Sequence, residues 1–92
     1  MIFSQEPIEK NNFEKTTIFT FHPNPVEDEL FVLGVHKIKS IELLNVLGKR
    51  VALYHFNKSI IKLNVSEIKS GLYLILVTDE YNKQETKRLV VK

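Results

Sequence analysis

The residues that could take part in chemistry are three histidines, eleven carboxylates and a few serines, and the sequence contains no cysteine. His22, His36 and His55 lie far apart and lack the close spacing typical of a metal site. Acid–base catalysis needs carboxylates around a common pocket, whereas these acidic residues fall in expected turns or alternate outward along expected strands. No serine lies in a G-x-S-x-G turn, and the three glycines are isolated rather than grouped in a phosphate-binding loop. The pattern predicts no enzyme activity, no cofactor and no metal site.

The composition excludes further classes of protein. Ninety-two residues correspond to one domain, and the absence of cysteine excludes a disulfide framework. Thirteen basic residues against eleven acidic ones are too even a balance to indicate nucleic acid or an anionic membrane as a partner. No stretch approaches the ~20 apolar residues of a membrane span. The first residues, Met1 to Phe3, run directly into polar residues, so no signal peptide is predicted. We expect neither nucleic acid nor a small-molecule substrate as a partner.

The apolar run from Leu72 to Val77, directly after Gly71, is the element around which the domain must be organised. Its length, its flanking turn residues and its β-branched and aromatic content predict a central strand. With a period of two, its odd-numbered residues face the core, and its even-numbered leucines form the opposite face. That leucine face is either covered by another element or left partly exposed.

Seven segments alternate apolar and polar residues, with turn residues between them. Their expected ranges are 18–22, 29–35, 37–46, 50–56, 61–65, 71–78 and 84–92. This spacing predicts an all-β fold, a small antiparallel immunoglobulin-like β-sandwich of about seven strands. The predicted core contains Phe21, Leu30, Val32, Ile41, Leu43, Val51, Leu63, Tyr73, Ile75, Val77 and Leu89. Residues 1–17 are polar and mixed in charge, which predicts a flexible linker ahead of a domain at 18–92.

Three positions carry specific predictions about backbone geometry. Gly48 is expected to adopt a positive φ in a tight hairpin turn, and Gly71 a positive φ before the central strand. The pattern Ile68-x-x-Gly71-x-Tyr73 is typical of a tyrosine corner, in which the hydroxyl bonds to the backbone a few residues upstream.

Four short motifs follow one another in a characteristic order. Pro23-Asn24-Pro25 follows the first strand, Asn45 to Val51 contains the Gly48 turn, Ser70 to Tyr73 contains G-x-Y, and Lys87 to Lys92 is a basic and apolar segment. In this order and spacing the sequence resembles the type A C-terminal sorting domain of proteins exported by the type IX, or Por, secretion system of Bacteroidetes. The resemblance covers residues 19–92. It departs from the family pattern at three positions. The family usually has Tyr or Phe at the position of His22, frequently an outward Lys or Arg at Leu76, and commonly a glycine at Asn82.

The resemblance implies a non-catalytic secretion and sorting signal on a β-sandwich. Such a module is covalently fused to cargo and recognised by an outer-membrane translocon and a cell-surface sortase. The cargo then passes through the periplasm to the outer membrane, the cell surface or the medium. The implied recognition residues are Pro23, Asn24, Pro25, Gly71, Tyr73, Lys87, Arg88, Leu89, Val90, Val91 and Lys92. Gly48 and Gly71 are also expected to be structural turn residues. The terminal segment is interpreted equally well as a charged edge strand that discourages aggregation.

Two other functions are compatible with a sandwich. One is an immunoglobulin-like module that binds protein or glycan and is appended to a secreted enzyme. Glycan binding usually uses exposed Trp or Tyr, and the sequence has no Trp and only Tyr54 and Tyr81 to spare. The other is a spacer, which would lie between domains.

Overall fold

The computed structural model describes residues 16–92, so the linker predicted for residues 1–17 lies almost entirely outside the described residues. Within residues 16–92 the chain forms strands and no helix, and hence no helix that could cross a membrane. The strands are β1 (Phe19–His22), β2 (Glu29–Leu44), β3 (Arg50–Asn64), β4 (Gly71–Asp79) and β5 (Gln84–Val91).

All strand pairs of the sheet are antiparallel, and β2 lies at its centre. β2 pairs with β3 along one edge and, along its other edge, first with β1 and then with β4. β5 pairs with the far side of β4, which gives the order β1-β2-β4-β5 with β3 attached to β2. The sheet curls around one core, so the predicted small all-β immunoglobulin-like fold is confirmed.

The number of strands is five, not the seven that the sequence predicted, because two expected turns are bulges inside longer strands. Leu33 pairs with Ile60 and Ile38 pairs with Lys58, so β2 advances five residues while β3 advances two. The extra residues are accommodated at Gly34, where an added Cβ would lie 2.5 Å from the His36 carbonyl oxygen. Gly34 therefore bends β2 rather than ending it, as glycines in bulges do.

The core contains most of the residues that alternation had selected. The odd-numbered residues of β4 from Tyr73 to Asp79 are buried, and the even-numbered leucines are partly exposed, with Leu72 at 43%. The fully formed core also includes residues that were not predicted: Phe19, Val26, Ile38, Ile61, Val65 and Val91.

Two core predictions need correction. Val51 is 44% exposed, and Phe21 is only half-buried. Leu43 pairs with Ala52 and Ile41 with Tyr54, and residues directly opposite one another share a face of the sheet. Since Ile41 and Leu43 face the core, Ala52 and Tyr54 do so too, and Val51 must point outward.

Candidate recognition surface

β5 is an end strand of the sheet. The side chains on its core-facing side change from charged to apolar along the strand. Leu89 and Val91 are buried in the core, whereas Glu85 and Lys87 are half-buried and charged. Arg88 lies on the opposite, exposed face. Inward-pointing charged side chains are one of the ways in which proteins limit nonspecific pairing between open sheet edges. Glu85 therefore points inward, and not outward as the alternation of the last strand predicted.

Glu85 and Lys87 join β5 to the start of β1. One Glu85 carboxylate oxygen accepts hydrogen bonds from the Ile18 amide over 2.9 Å and from the Thr17 hydroxyl over 2.8 Å. The Lys87 ammonium donates to the Phe19 carbonyl oxygen over 2.8 Å and lies 4.9 Å from the centre of the Phe19 ring. The two ends of the sheet order are therefore linked to each other through side chains.

These contacts also set the charge of Glu85. Burial by itself would raise the pKa of Glu85, but the hydrogen bonds from Ile18 and Thr17 and the nearby charge of Lys87 outweigh burial. The net effect lowers the pKa of Glu85 below its ordinary value of 4.5. The carboxylate is thus held in its ionised, hydrogen-bond-accepting form.

The Pro23-Asn24-Pro25 motif lies against the outer edge of β5. The Asn24 side-chain oxygen accepts a hydrogen bond from the Val90 amide over 2.9 Å, and its NH₂ group donates to the Arg88 carbonyl oxygen over 3.4 Å. Proline has no amide hydrogen, so the Asn24 side chain supplies the polar groups that this stretch of backbone lacks. Both bonds that precede the prolines are cis.

Val26 continues the same contact with its backbone. Its amide donates to the Val90 carbonyl oxygen over 2.9 Å, and its carbonyl oxygen accepts from the Lys92 amide over 2.7 Å, which forms a parallel bridge to Val91. The Val26 side chain is fully buried. Together Asn24 and Val26 satisfy every outward backbone group from the Arg88 carbonyl to the Lys92 amide.

The G-x-Y motif lies on the other side of β5. Gly71 pairs with Val91, and Tyr73 pairs with Leu89. The Tyr73 hydroxyl donates to the Lys69 carbonyl oxygen over 2.7 Å, which confirms the tyrosine corner. Gly71 has a φ of 154°, so its predicted positive φ is also confirmed. The proline motif, the G-x-Y motif and the terminal segment thus meet on one strand.

Gly48 lies outside this group, in the turn between β2 and β3. Its φ is 83°, as the sequence predicted, and the Asn45 side chain closes the turn by accepting from the Leu47 and Lys49 amides. Gly48 has a structural role in this turn.

Asp79 has a structural role that was not predicted, because the sequence pattern placed it with the other acidic residues in turns or on outward faces. Asp79 is 1% exposed, and one of its carboxylate oxygens accepts from the Tyr81 and Lys83 amides over 2.8 and 3.0 Å. It thereby fixes the hairpin between β4 and β5, in which Asn82 has a φ of 65°. An Asp at the first position of a loop is a known signal for such a turn.

Two of the histidines contact aromatic rings. The His22 ring stacks on Phe31 with ring centres 5.5 Å apart, and His36 meets the edge of Tyr81 at 5.0 Å. Within residues 16–92 no three metal-binding side chains come together.

Comparison with known proteins identifies the family. The family described as secretion system C-terminal sorting domain matches residues 20–92, and the chain belongs to it. The chain is 34% identical over 73 residues to an endo-acting ulvan lyase of Formosa agariphila, a match that covers 76% of this chain and 14% of the lyase.

A solved structure shows the same fold. PorZ, a surface component of the type IX secretion system of Porphyromonas gingivalis, aligns with a TM-score of 0.63 at 20% identity, over 80% of this chain and 11% of the PorZ chain.

The family membership confirms the resemblance drawn from the motifs. The chain is a non-catalytic sorting signal of type IX secretion and acts in export across the outer membrane to the cell surface or the medium. Membership of this family favours the sorting signal over an appended binding module.

Proposed function

We propose that an outer-membrane translocon and a cell-surface sortase recognise one composite surface of this domain, which we call the terminal-strand surface. It consists of residues 23–26, 71–73 and 87–92. The observation that supports it is the pair of hydrogen bonds from the Asn24 side chain to β5. These bonds join Asn24 to Arg88 and Val90, which lie 64 and 66 residues further along the sequence. Because these motifs contact each other, a partner that binds the end of β5 also meets the proline motif.

Within the terminal-strand surface, some residues contribute to folding and others are available to a partner. Tyr73, Leu89 and Val91 are buried, so they act through the core. Lys87 is engaged with Phe19. The exposed residues, which carry the proposed recognition, are Pro23, Asn24, Pro25, Gly71, Leu72, Arg88, Val90 and Lys92.

We further propose that the domain is covalently fused to a passenger protein, with residues 1–17 as linker and 18–92 as sorting domain. The ulvan lyase relative supports this, because the match covers 14% of its length and leaves room for a separate enzyme. A polysaccharide-degrading enzyme is one such passenger. The sortase would act after export, to release the passenger or attach it to the cell surface.

A charge-reversal experiment tests this recognition. A passenger with an inner-membrane export signal is fused ahead of the 92-residue chain and expressed in a host with type IX secretion. The double variant Arg88→Glu with Lys92→Glu reverses two exposed positive charges. It should lower the secretion rate about five- to tenfold, because exposed charges mainly set the rate of association. The buried residues of β5 are unchanged, so the domain should keep its melting temperature.

The matched control is Lys49→Glu with Lys58→Glu, which changes the net charge equally at exposed positions away from β5. It should be secreted at the parental rate. If the β5 variant is folded and secreted as fast as the control, the terminal-strand surface is not the recognised element. Deleting residues 89–92 is a poorer test, because it also removes Leu89 and Val91 from the core.

A further inference from the structure

The outer edge of β5 is only partly covered. The Val90 amide and carbonyl both point away from β4, toward Asn24 and Val26. Alternate residues of a strand direct both backbone groups to the same side, so Gln84, Thr86 and Arg88 present theirs to this outer edge as well. Within residues 16–92 no backbone group pairs with the outer edge at Thr86.

A cleft lies beside this open stretch. It has a volume of about 480 Å³ and is bounded by Thr16 and Ile18 on one side and by residues 83–86 on the other. The space gives an extended segment access to the outward groups of Gln84 and Thr86. The open edge and the cleft lie next to the terminal-strand surface.

The Asn24 side chain ends the open stretch. Residues 22–25 are exposed, and of these only Asn24 hydrogen-bonds to β5. One of its two bonds is long, at 3.4 Å. Val26, by contrast, is fully buried and bound through its backbone. If Asn24 moves away, the Arg88 carbonyl and the Val90 amide become available, and the open edge extends from Gln84 to Val90 without loss of a core contact.

We propose that the outer edge of β5, from Gln84 to Val90, accepts an extended acidic strand of a secretion-system protein, with Asn24 as a latch over its second half. Addition of a strand to an exposed sheet edge is a common mode of peptide recognition. The side chains of Lys83 and Arg88 are exposed at this edge, and Glu85 is turned inward, so the local charge favours an acidic strand. The identity of the partner rests on the proposed function, whereas the edge itself does not.

A binding experiment tests the edge directly. The probe is a ten-residue peptide of alternating glutamate and valine, with blocked ends, titrated into the full chain and followed by fluorescence anisotropy. Thr86→Pro removes an outward amide and no bond to β4, and should weaken binding about tenfold or more, because proline cannot donate to an added strand. Asn24→Ala opens the latch and should strengthen binding about three- to tenfold.

Controls separate the edge from folding and charge. Thr86→Val keeps the amide and should bind like the parent, and a lysine–valine peptide should bind at least about tenfold more weakly. Melting curves establish that each variant is folded. Equal binding by folded Thr86→Pro and by the parent would overturn the proposal. Dimerisation of the unliganded chain through Thr86 would also overturn it, because a second copy would then occupy the edge. Protection of the Thr86 amide from hydrogen exchange by residues 1–15 would do the same, because the chain itself would then cover the edge.

Secretion of the same variants distinguishes this proposal from the proposed function. Folded Thr86→Pro should be secreted about tenfold more slowly than Thr86→Val if the edge is used during export. If both are secreted equally while the Arg88 and Lys92 charge reversal still blocks export, strand addition is excluded and the proposed function stands. If the charge reversal has no effect either, both are wrong.

Discussion

Gly71 and Gly48 both have positive φ, but for different reasons. Gly48, at 83°, lies in the part of the left-handed region that turns use and that Asn also adopts. Gly71, at 154°, lies in a region that is essentially restricted to glycine. An added Cβ at Gly71 would meet the Tyr73 ring at an ordinary contact distance of 3.7 Å, so any cost there comes from the backbone.

This difference predicts opposite tolerance of asparagine. Gly71→Asn should lower the free energy of unfolding by ~1–3 kcal/mol, because Asn does not relieve the strain at that φ. Gly48→Asn should cost less than ~1 kcal/mol, because Asn adopts the left-handed turn and its site is open. Urea denaturation of the two variants measures both values. Equal costs would show that the Gly71 position is an ordinary strand residue.

At the scale of the element, β2 is the strand that shapes the sheet. One half of β2 pairs with β1 and the end of β3, and the other half pairs with β4 and the start of β3. The bulge at Gly34 makes this change of partners possible. Here the constraint is a close contact, because an added Cβ would also lie 2.8 Å from Cγ1 of Ile38.

Gly34→Ala should therefore destabilise the domain by overcrowding. We expect a loss of ~1–3 kcal/mol, the usual cost of forcing a methyl group into a packed position. Ser59→Ala, in the part of β3 that lies beside the bulge, is the matched control and should change stability by less than ~0.5 kcal/mol. Chemical denaturation compares the two. A Gly34→Ala variant as stable as the parent would mean that the bulge relaxes without cost.

At the scale of the whole molecule, the domain is closed by contacts between the two ends of the sheet order. Glu85 and Lys87 bind the start of β1, and Asn24 and Val26 bind the end of β5. The contacts of Asn24 and Val26 with β5 involve backbone groups and a buried apolar side chain, whereas those of Glu85 and Lys87 with the start of β1 involve charged side chains. The contacts of the charged side chains make part of the stability depend on pH.

The folded-state pKa of Glu85 lies below its unfolded value, so its contribution is present above about pH 4.5 and is lost as the pH falls through the folded pKa. Glu85→Gln should be less stable than the parent by ~0.5–1 kcal/mol near neutral pH, a range typical of a partly exposed ionic contact. The difference should shrink as the pH falls below 4.5 and disappear once the pH is below the folded pKa of Glu85, where the parent is protonated. Thermal melts across this range measure it. A difference that stays constant with pH would show that ionised Glu85 does not stabilise the closure.

The sequence by itself determined the features that depend on near neighbours. Alternation over two residues identified the core face of β4, and single residues identified the Gly48 turn and the tyrosine corner of Tyr73. The order of the four motifs identified the family. These predictions succeeded because strand faces, turn geometry and a hydroxyl bond spanning four residues are local properties of the chain.

Only the tertiary structure decided which distant residues meet. Asn24 contacts Val90 across 66 residues, and Lys87 contacts Phe19 across 68, and neither partner is encoded in a local pattern. The outward position of Val51 and the merging of seven segments into five strands depend on register and bulges, which pairing across strands determines. The sequence pattern therefore identified a sorting domain, whereas the contact between its proline motif and its terminal strand required the fold, because that contact forms only when the curled sheet brings β1 and β5 together.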